Sequence, residues 1–299
     1  MPELPEVETV RAGLAAHLVG AKVLDIEVFD ERSLKKNISG TKGFIQELTD
    51  SRIRAVARRG KFLWMPLSDS RAMVGHLGMS GQILVRTMDF ENDPQTRVVI
   101  RVENIDGKLL EIRFVDQRLF GGLVIDDLIQ IEPGEAGFSP ESPIGNLIPT
   151  GVAHISRDLL DPMFDPNLVA EKISKKNSGI KRVILDQGVM SGIGNIYADE
   201  SLWLAKLHFD QPAISIPKRK ILELITIAQE VLVKAVAQGG TSFDEQYKNV
   251  NGESGYFSQS LNAYGQTDKA CNRCGSQIRR VAWANRGSHF CPECQRLKL

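Results

Sequence analysis

The sequence predicts a multidomain α+β protein: a leading helix with an antiparallel β unit, then a helical region, then a short tail holding every cysteine. Three observations carry this. Val7, Val10, Leu14 and Leu18 recur on one helical face. Short β-type runs then follow one another from Lys22 to about Asp126. The last stretch pairs its cysteines as Cys271-Asn-Arg-Cys274 and Cys291-Pro-Glu-Cys294.

The leading helix is PEVETVRAGLAAHLVG. Pro5 suits its first turn, where a missing N–H costs nothing, and Gly20 suits its end. KVLDIEVFD is expected to put Leu24, Ile26 and Val28 on one face of a strand. GKFLWMPL, RVVIRVEN, KLLEIRFVD and GGLVID are further strands, with turns such as Asp106-Gly107 between them. Residues 127–152 are rich in Pro, Gly, Ser and Glu and read as a linker or surface excursion. The pattern turns helical from about Pro166. Its clearest helix is PKRKILELITIAQEVLVKAVAQGG, opened by Pro217 and stopped at Gly239-Gly240. There is no internal repeat.

Composition excludes several classes. With 42% hydrophobic and 25% charged residues, the chain is an ordinary folded protein rather than a disordered one. No window approaches the roughly 18 apolar residues of a membrane helix. The first residues show no basic, then apolar leader pattern, so a cytoplasmic location is expected. The formal net charge is zero, but its distribution is uneven. SRIRAVARRGK holds five basic residues and no acid, and residues 269–299 hold seven Lys/Arg against Glu293. These runs are either solvated basic faces or a surface for nucleic acid.

Sixteen residues separate the two cysteine pairs. Paired C-x2-C knuckles at that spacing describe one tetrahedral four-cysteine zinc site, with Cys271, Cys274, Cys291 and Cys294 as ligands. Disulfides or a redox pair suit neither a cytoplasmic chain nor one without a thioredoxin-like βαβ context. Four thiolates leave no open coordination position, so the metal is structural. Arg279, Arg280, Arg286 and His289 lie between the knuckles and give the zinc unit a basic hairpin suited to phosphates.

The chain opens Met-Pro-Glu. Removal of Met1 exposes the secondary amine of Pro2. An α-amine has a reference pKa near 8 and is partly neutral at physiological pH. The nearby helix start disfavours its protonated form further. A secondary amine attacking a carbonyl-like carbon gives an iminium with no N–H proton to lose, an electron sink. Glu3 stands beside it as a proton donor and acceptor. Taken alone, Pro2, Glu3 and Pro5 are also ordinary helix-start residues.

PELPEVET, RRGKF, GHLGMSG, GIGNIYADE and the four-cysteine tail occur in one chain and in that order. Together they resemble the bacterial formamidopyrimidine-DNA glycosylases, which remove oxidised purines such as 8-oxoguanine. The match runs from residue 2 to about 295, interrupted chiefly at 127–152. The resemblance implies an N-terminal β-sandwich, a helix–two-turns–helix region and a zinc-finger hairpin. The expected boundaries are 1–135, a linker at 136–165, 166–265 and 266–299.

The resemblance also implies roles. Pro2 is the nucleophile on the deoxyribose C1′ and Glu3 its proton donor. Lys61 matches the family's strand lysine, which contacts the phosphate and the damaged nucleotide and donates the proton for β-elimination; a lysine after two arginines is otherwise a solvated charge. Arg286 matches the zinc-finger arginine that binds phosphates beside the lesion and serves δ-elimination. Met79, Arg118 and Phe120 match the residues that fill the void left by a flipped base, Arg118 pairing with the orphaned cytosine. Glycines around Met79 and after Phe120 suggest exposed turn tips rather than core. Lys181 matches a lysine near the lesion, and Asn195, after Gly192 and Gly194, a phosphate ligand. His76 reads equally as a phosphate contact or a structural histidine. Leu119 and Gln266 stand where relatives often have arginine. GESGYFSQSLNAYG matches the loop over the extruded base.

The implied activity is a bifunctional glycosylase and AP lyase on damaged duplex DNA, acting as a monomer with one structural zinc. Two alternatives stay open. An endonuclease VIII-like enzyme would act on oxidised pyrimidines. A non-catalytic zinc protein would bind distorted DNA and keep Met1.

Overall fold

The computed structural model describes residues 2–241, 250–251 and 257–298. The chain divides into two compact units, 1–154 with 239–256, and 155–238 with 257–299.

The first unit opens with α1 (Leu4–Leu18). Val7, Val10, Leu14 and Leu18 are buried as its spacing predicts. Gly20, at φ +83°, turns the chain into β1 (Lys22–Val28). Here the alternation fails. A bulge between Val23 and Asp25 shifts the register, so Val23 and Ile26 face the core while Leu24 is 38% exposed. A helix not anticipated from the sequence follows, α2 (Gly40–Leu48), burying Phe44 and Leu48 one turn apart. The rest is β2 (Ala57–Arg59), β3 (Phe62–Pro66), β4 (Arg71–His76), β5 (Gly81–Thr87), β6 (Thr96–Glu103), β7 (Leu109–Asp116), β8 (Gly122–Gln130) and β9 (Leu147–Pro149).

These strands form two antiparallel sheets, ordered β1-β6-β7-β5 and β2-β3-β4-β8-β9. Ile100, Ile112 and Phe114 of one sheet share a core with Leu63, Met73 and Leu123 of the other and with the apolar face of α1. This is a β-sandwich with a helix on it. The stretch 127–152 is only partly an excursion, since β8 runs into it and β9 closes the sheet edge. Between them, Ala136 is fully buried, and Phe138 and Arg58 exchange backbone hydrogen bonds of 2.8 and 3.1 Å.

The basic run 51–61 is not one solvated face. Arg58 and Arg59 are buried. Arg58 Nε donates to Glu8 at 2.5 Å, and Arg11 bridges Glu8 and Glu141. Phe138 lies 4.9 Å from the Arg58 guanidinium. Charges this deep persist because each has a partner.

The second unit is helical: α3 (Pro166–Ser174), α4 (Ile180–Ile184), α5 (Asn195–Leu204) and α6 (Lys218–Ala237), then the hairpin β10 (Arg279–Trp283) with β11 (Arg286–Phe290). Two turns join α4 to α5. Asp186 accepts the Gly188 N–H at 2.9 Å, and the Gln187 amide accepts from Gly192 and donates to Ile193. Gly192 sits at φ +91°, which a side chain would strain. The two-residue turn Ala284-Asn285 has both φ positive, matching the twist of a tight hairpin. Among the described residues, no helix is long and apolar enough to cross a membrane.

Candidate active site and metal centre

In the first unit, α1 begins with a capping box. The Glu3 N–H donates to Glu6 Oε2 at 2.8 Å, and Glu6 is the residue three positions on. Glu6 Oε1 also accepts the Thr241 N–H at 2.7 Å and its hydroxyl at 3.0 Å. One buried carboxylate therefore fixes the backbone directly after Pro2 and ties it to residue 241. Sequence reasoning missed Glu6; its signal is the E-x-x-E spacing after the N-cap.

Pro2 lines a small cleft with Val7, Lys61, His76, Leu77 and Gly78. Three of the expected site residues thus share one cleft. Lys61 lies in the turn of the β2–β3 hairpin, one residue before the strand where it was expected. Gly60 takes φ +58° in that turn, presenting Lys61 at its tip. His76 ends β4 with its ring 5.2 Å from that of Phe62. Burial, then the charges of Lys36 and Lys61, hold its pKa below the ordinary value, so the imidazole is neutral at pH 7.

Two loops sit beside this cleft, and one buried residue holds both. Asp116 accepts the Ser80 hydroxyl at 2.5 Å, the Arg118 N–H at 3.1 Å and the Gly121 N–H at 2.8 Å. Gly78, at φ +61°, has the Phe120 and Gly121 backbone where a Cβ would lie, at 2.5 Å. Met79 is half-buried between Gly78 and Ser80. Arg118 is exposed, and Phe120 is 52% exposed with the Arg118 guanidinium 5.0 Å from its ring. Phe120 is therefore no core residue. Leu119, at the departure from the family pattern, sits at φ +56°. Asp116 was also missed; its only signal is an acid directly before the loop.

In the second unit, the sulfurs of Cys271, Cys274, Cys291 and Cys294 lie within 4.8 Å of one another. Four thiols so gathered fit one tetrahedral zinc. Without a metal the set is uneven. Hydrogen bonds from Ser276 bring Cys274 down to about 6, while burial pushes Cys291 up to about 12. A bound cation is what makes all four thiolates. The Trp203 indole donates to Cys271 Sγ at 3.4 Å, and Gln295 accepts the Cys291 N–H at 2.9 Å while donating to Leu207.

The hairpin the metal would hold carries Arg279, Arg280 and Arg286 exposed. His289 does not join them. It is buried, with its N–H and ring Nδ1 on Asp199 at 2.9 and 3.2 Å. Lys181 is held by the same acid. It is fully buried, its Nζ 2.6 Å from Asp199 Oδ1 and donating to Ser288 Oγ at 2.8 Å. In this fold it clamps the hairpin from beneath, because a buried ammonium stays with its counter-ion. Asn195 opens α5 and donates to Gly287 O at 2.9 Å, joining the same hairpin. Arg286 lines a shallow cleft with Arg182, Asp186 and Trp283. Glu200, for which the sequence gives no signal, accepts the N–H groups of Asn262, Ala263 and Tyr264. Of the expected mobile loop, residues 252–256 lie outside the described residues.

Comparison with known proteins agrees with this geometry. Three family models match in order: the formamidopyrimidine-DNA glycosylase N-terminal domain over residues 1–123, the H2TH domain of the same enzymes over 155–246, and a zinc finger found in FPG and IleRS over 268–297. A formamidopyrimidine-DNA glycosylase of Leifsonia xyli is 49% identical, covering 99% of this chain and 100% of the relative. That of Streptomyces coelicolor is 46% identical over 99% of this chain and 98% of its own. Among solved structures, MutM in complex with DNA containing carbocyclic 8-oxo-G matches with a TM-score of 0.80 at 31% identity, covering 99% of this chain and 100% of that one. A point mutant of the Lactococcus lactis FPG in complex with a Fapy-dG containing DNA matches with a TM-score of 0.81 at 31% identity and the same coverage. The chain belongs to the formamidopyrimidine-DNA glycosylase family.

Proposed function

We propose that this protein is a bifunctional DNA glycosylase and AP lyase that excises oxidised purines from duplex DNA. The observation that carries the reading is the shared cleft of Pro2, Lys61 and His76 beside the loops of Met79 and Phe120. A nucleophile at a chain start, a phosphate-seeking cation and two loop-tip apolar side chains are the parts that base extrusion and displacement need.

In the proposed mechanism, loss of Met1 frees the Pro2 amine. Its lone pair attacks the deoxyribose C1′ while the base departs with the electrons of the glycosidic bond, and the N–H proton of the new ammonium passes to the departing base. Glu3 protonates the sugar ring oxygen, and the ring opens to leave the C1′–N iminium. That cation acidifies C2′–H, so β-elimination expels the 3′ phosphate; a further proton loss drives δ-elimination of the 5′ phosphate. Lys61 supplies a proton at the first elimination and Arg286 at the second. Arg118 pairs with the orphaned cytosine while Met79 and Phe120 fill the gap. His76 and Asn195 contact phosphates, and Lys181 holds the hairpin that carries Arg286. The zinc is structural. The enzyme is a cytoplasmic monomer.

Borohydride trapping on an 8-oxoguanine duplex tests the mechanism. A covalent adduct is expected for wild type and none for Pro2→Gly. No adduct with wild type, or equal trapping by Pro2→Gly, sinks it. A thymine-glycol duplex run in parallel separates the purine reading from the endonuclease VIII-like one.

A further inference from the structure

Four thiolates on one divalent ion leave a net negative charge, and two of the four sulfurs, those of Cys271 and Cys291, belong to buried residues. Buried charge is costly unless donors or an opposite charge meet it. Two side chains beside Cys271 meet that need. Trp203 is buried in the last turn of α5 and donates its indole N–H to Cys271 Sγ at 3.4 Å. The Arg273 guanidinium lies over the same indole, 4.1 Å from its centre, and its Nη2 donates to the Trp203 carbonyl at 3.1 Å. Arg273 stands between Cys271 and Cys274 in the chain. Among the described residues it forms no ion pair with an acid, and its buried Nη1 has no hydrogen-bond partner. Its charge thus lies against the indole rather than against a carboxylate.

We propose that Trp203 and Arg273 are positioning residues of the metal centre, offsetting the charge of its four thiolates through Cys271. A cation over an indole face is attracted by the ring electrons and draws them towards itself. The ring N–H then becomes more acidic and a stronger donor. A hydrogen bond to an ionised sulfur is stronger than one to a neutral thiol, so the pair favours the loaded site over the empty one. The same pair fastens the metal to α5, whose opening residue Asn195 holds the hairpin at Gly287. Packing alone would need neither a nitrogen at that position of the ring nor a cation above it.

The test uses the full-length protein loaded with cobalt(II) in place of zinc. Its thiolate-to-cobalt charge-transfer band reports the electron density on the sulfurs. Trp203→Phe keeps an aromatic ring and removes the N–H. Its band should move to lower energy, because a thiolate that loses a donor holds its electrons less tightly. Zinc affinity, read by chelator competition, should fall about ten-fold, as when a metal ligand loses its outer partner. Arg273→Gln should shift both readouts in the same direction, by less. In the Trp203→Phe background it should add little, since the arginine acts through the indole. Ile278→Val trims the same apolar cluster without touching either donor, and should leave the band in place. The proposal is overturned if the Trp203→Phe band stays at the wild-type position or if Ile278→Val moves it as far. It is overturned equally if Arg273→Gln acts as strongly without the indole as with it. Should Trp203→Phe fail to fold, Arg273→Gln decides alone, because it leaves the indole in place. A band at lower energy then upholds the proposal, and an unmoved band with unchanged zinc affinity overturns it.

Discussion

Asp116 shows what a single buried acid does in this protein. Its two oxygens take three donors, one from the 77–81 loop and two from the 117–121 loop. Asp116→Ala leaves those donors without their acceptor in a fully buried place, which costs on the order of 2–4 kcal/mol. Denaturant unfolding should show that loss, with Asp116→Asn falling between, since an amide keeps one acceptor oxygen. His76 carries a pH prediction. Burial first, then Lys36 and Lys61, depress its pKa from 6.5 in the fold. A depressed pKa favours the neutral form, so the linked stability is present above the unfolded value and is lost as pH falls through the folded one. Lys36→Gln should raise the His76 pKa in an NMR titration, and His76→Gln should flatten stability against pH below about 6.5. Residue types at the site were legible from the ordered motifs, but their surroundings were not. His289 read as part of a basic hairpin facing phosphates and Lys181 as a lysine near the lesion; both are held by Asp199, an acid that no local spacing links to them.

At the scale of elements, periodicity gave most of the β unit because burial on one side imposes alternation. It failed where backbone geometry intervened. The bulge in β1 exposes Leu24, and α2 interrupts the strands with a helix whose only cue is Phe44 and Leu48 one turn apart. The run 51–61 misled for another reason: the ion pairs that bury Arg58 come from α1, about fifty residues away in the chain. Glu8→Gln should therefore be costly despite its small change in shape. It leaves Arg11 and Arg58 without the charge between them, a loss of about 3–5 kcal/mol by analogy with broken buried pairs. Gly78 gives a sharper element-level prediction, because it combines a left-handed φ with backbone where a Cβ would lie. Gly78→Ala must push the Phe120–Gly121 segment away, so excision on an 8-oxoguanine duplex should fall by at least ten-fold. Zinc content should not change. A variant as active as wild type would show that the two loops need not touch for activity.

At the scale of the whole molecule, Lys+Arg and Asp+Glu balance at 37 each, so affinity for DNA has to come from where the charges are placed. The cysteine tail was the most legible feature, because metal geometry constrains sequence spacing directly. Its removal makes a prediction that separates the two units. The small apolar cluster around Cys271 and Cys291 contains Trp203, Ala263 and Ile278, too little to hold a hairpin without the metal. The sandwich core contains no cysteine and should stand without it. Chelation should thus leave the sandwich transition in calorimetry where it was, and lower or abolish a second transition. Trp203 and Trp283 both lie in the second unit, and the Trp203 indole donates to Cys271 Sγ, so tryptophan fluorescence should follow the metal. Cys274→Ser should reproduce the chelated state and make the protein insensitive to further chelator. If chelation moves neither transition nor fluorescence, the four sulfurs hold the hairpin without a metal and the structural role assigned to zinc fails. If it moves both transitions together, the sandwich depends on the metal too, despite having none of its ligands.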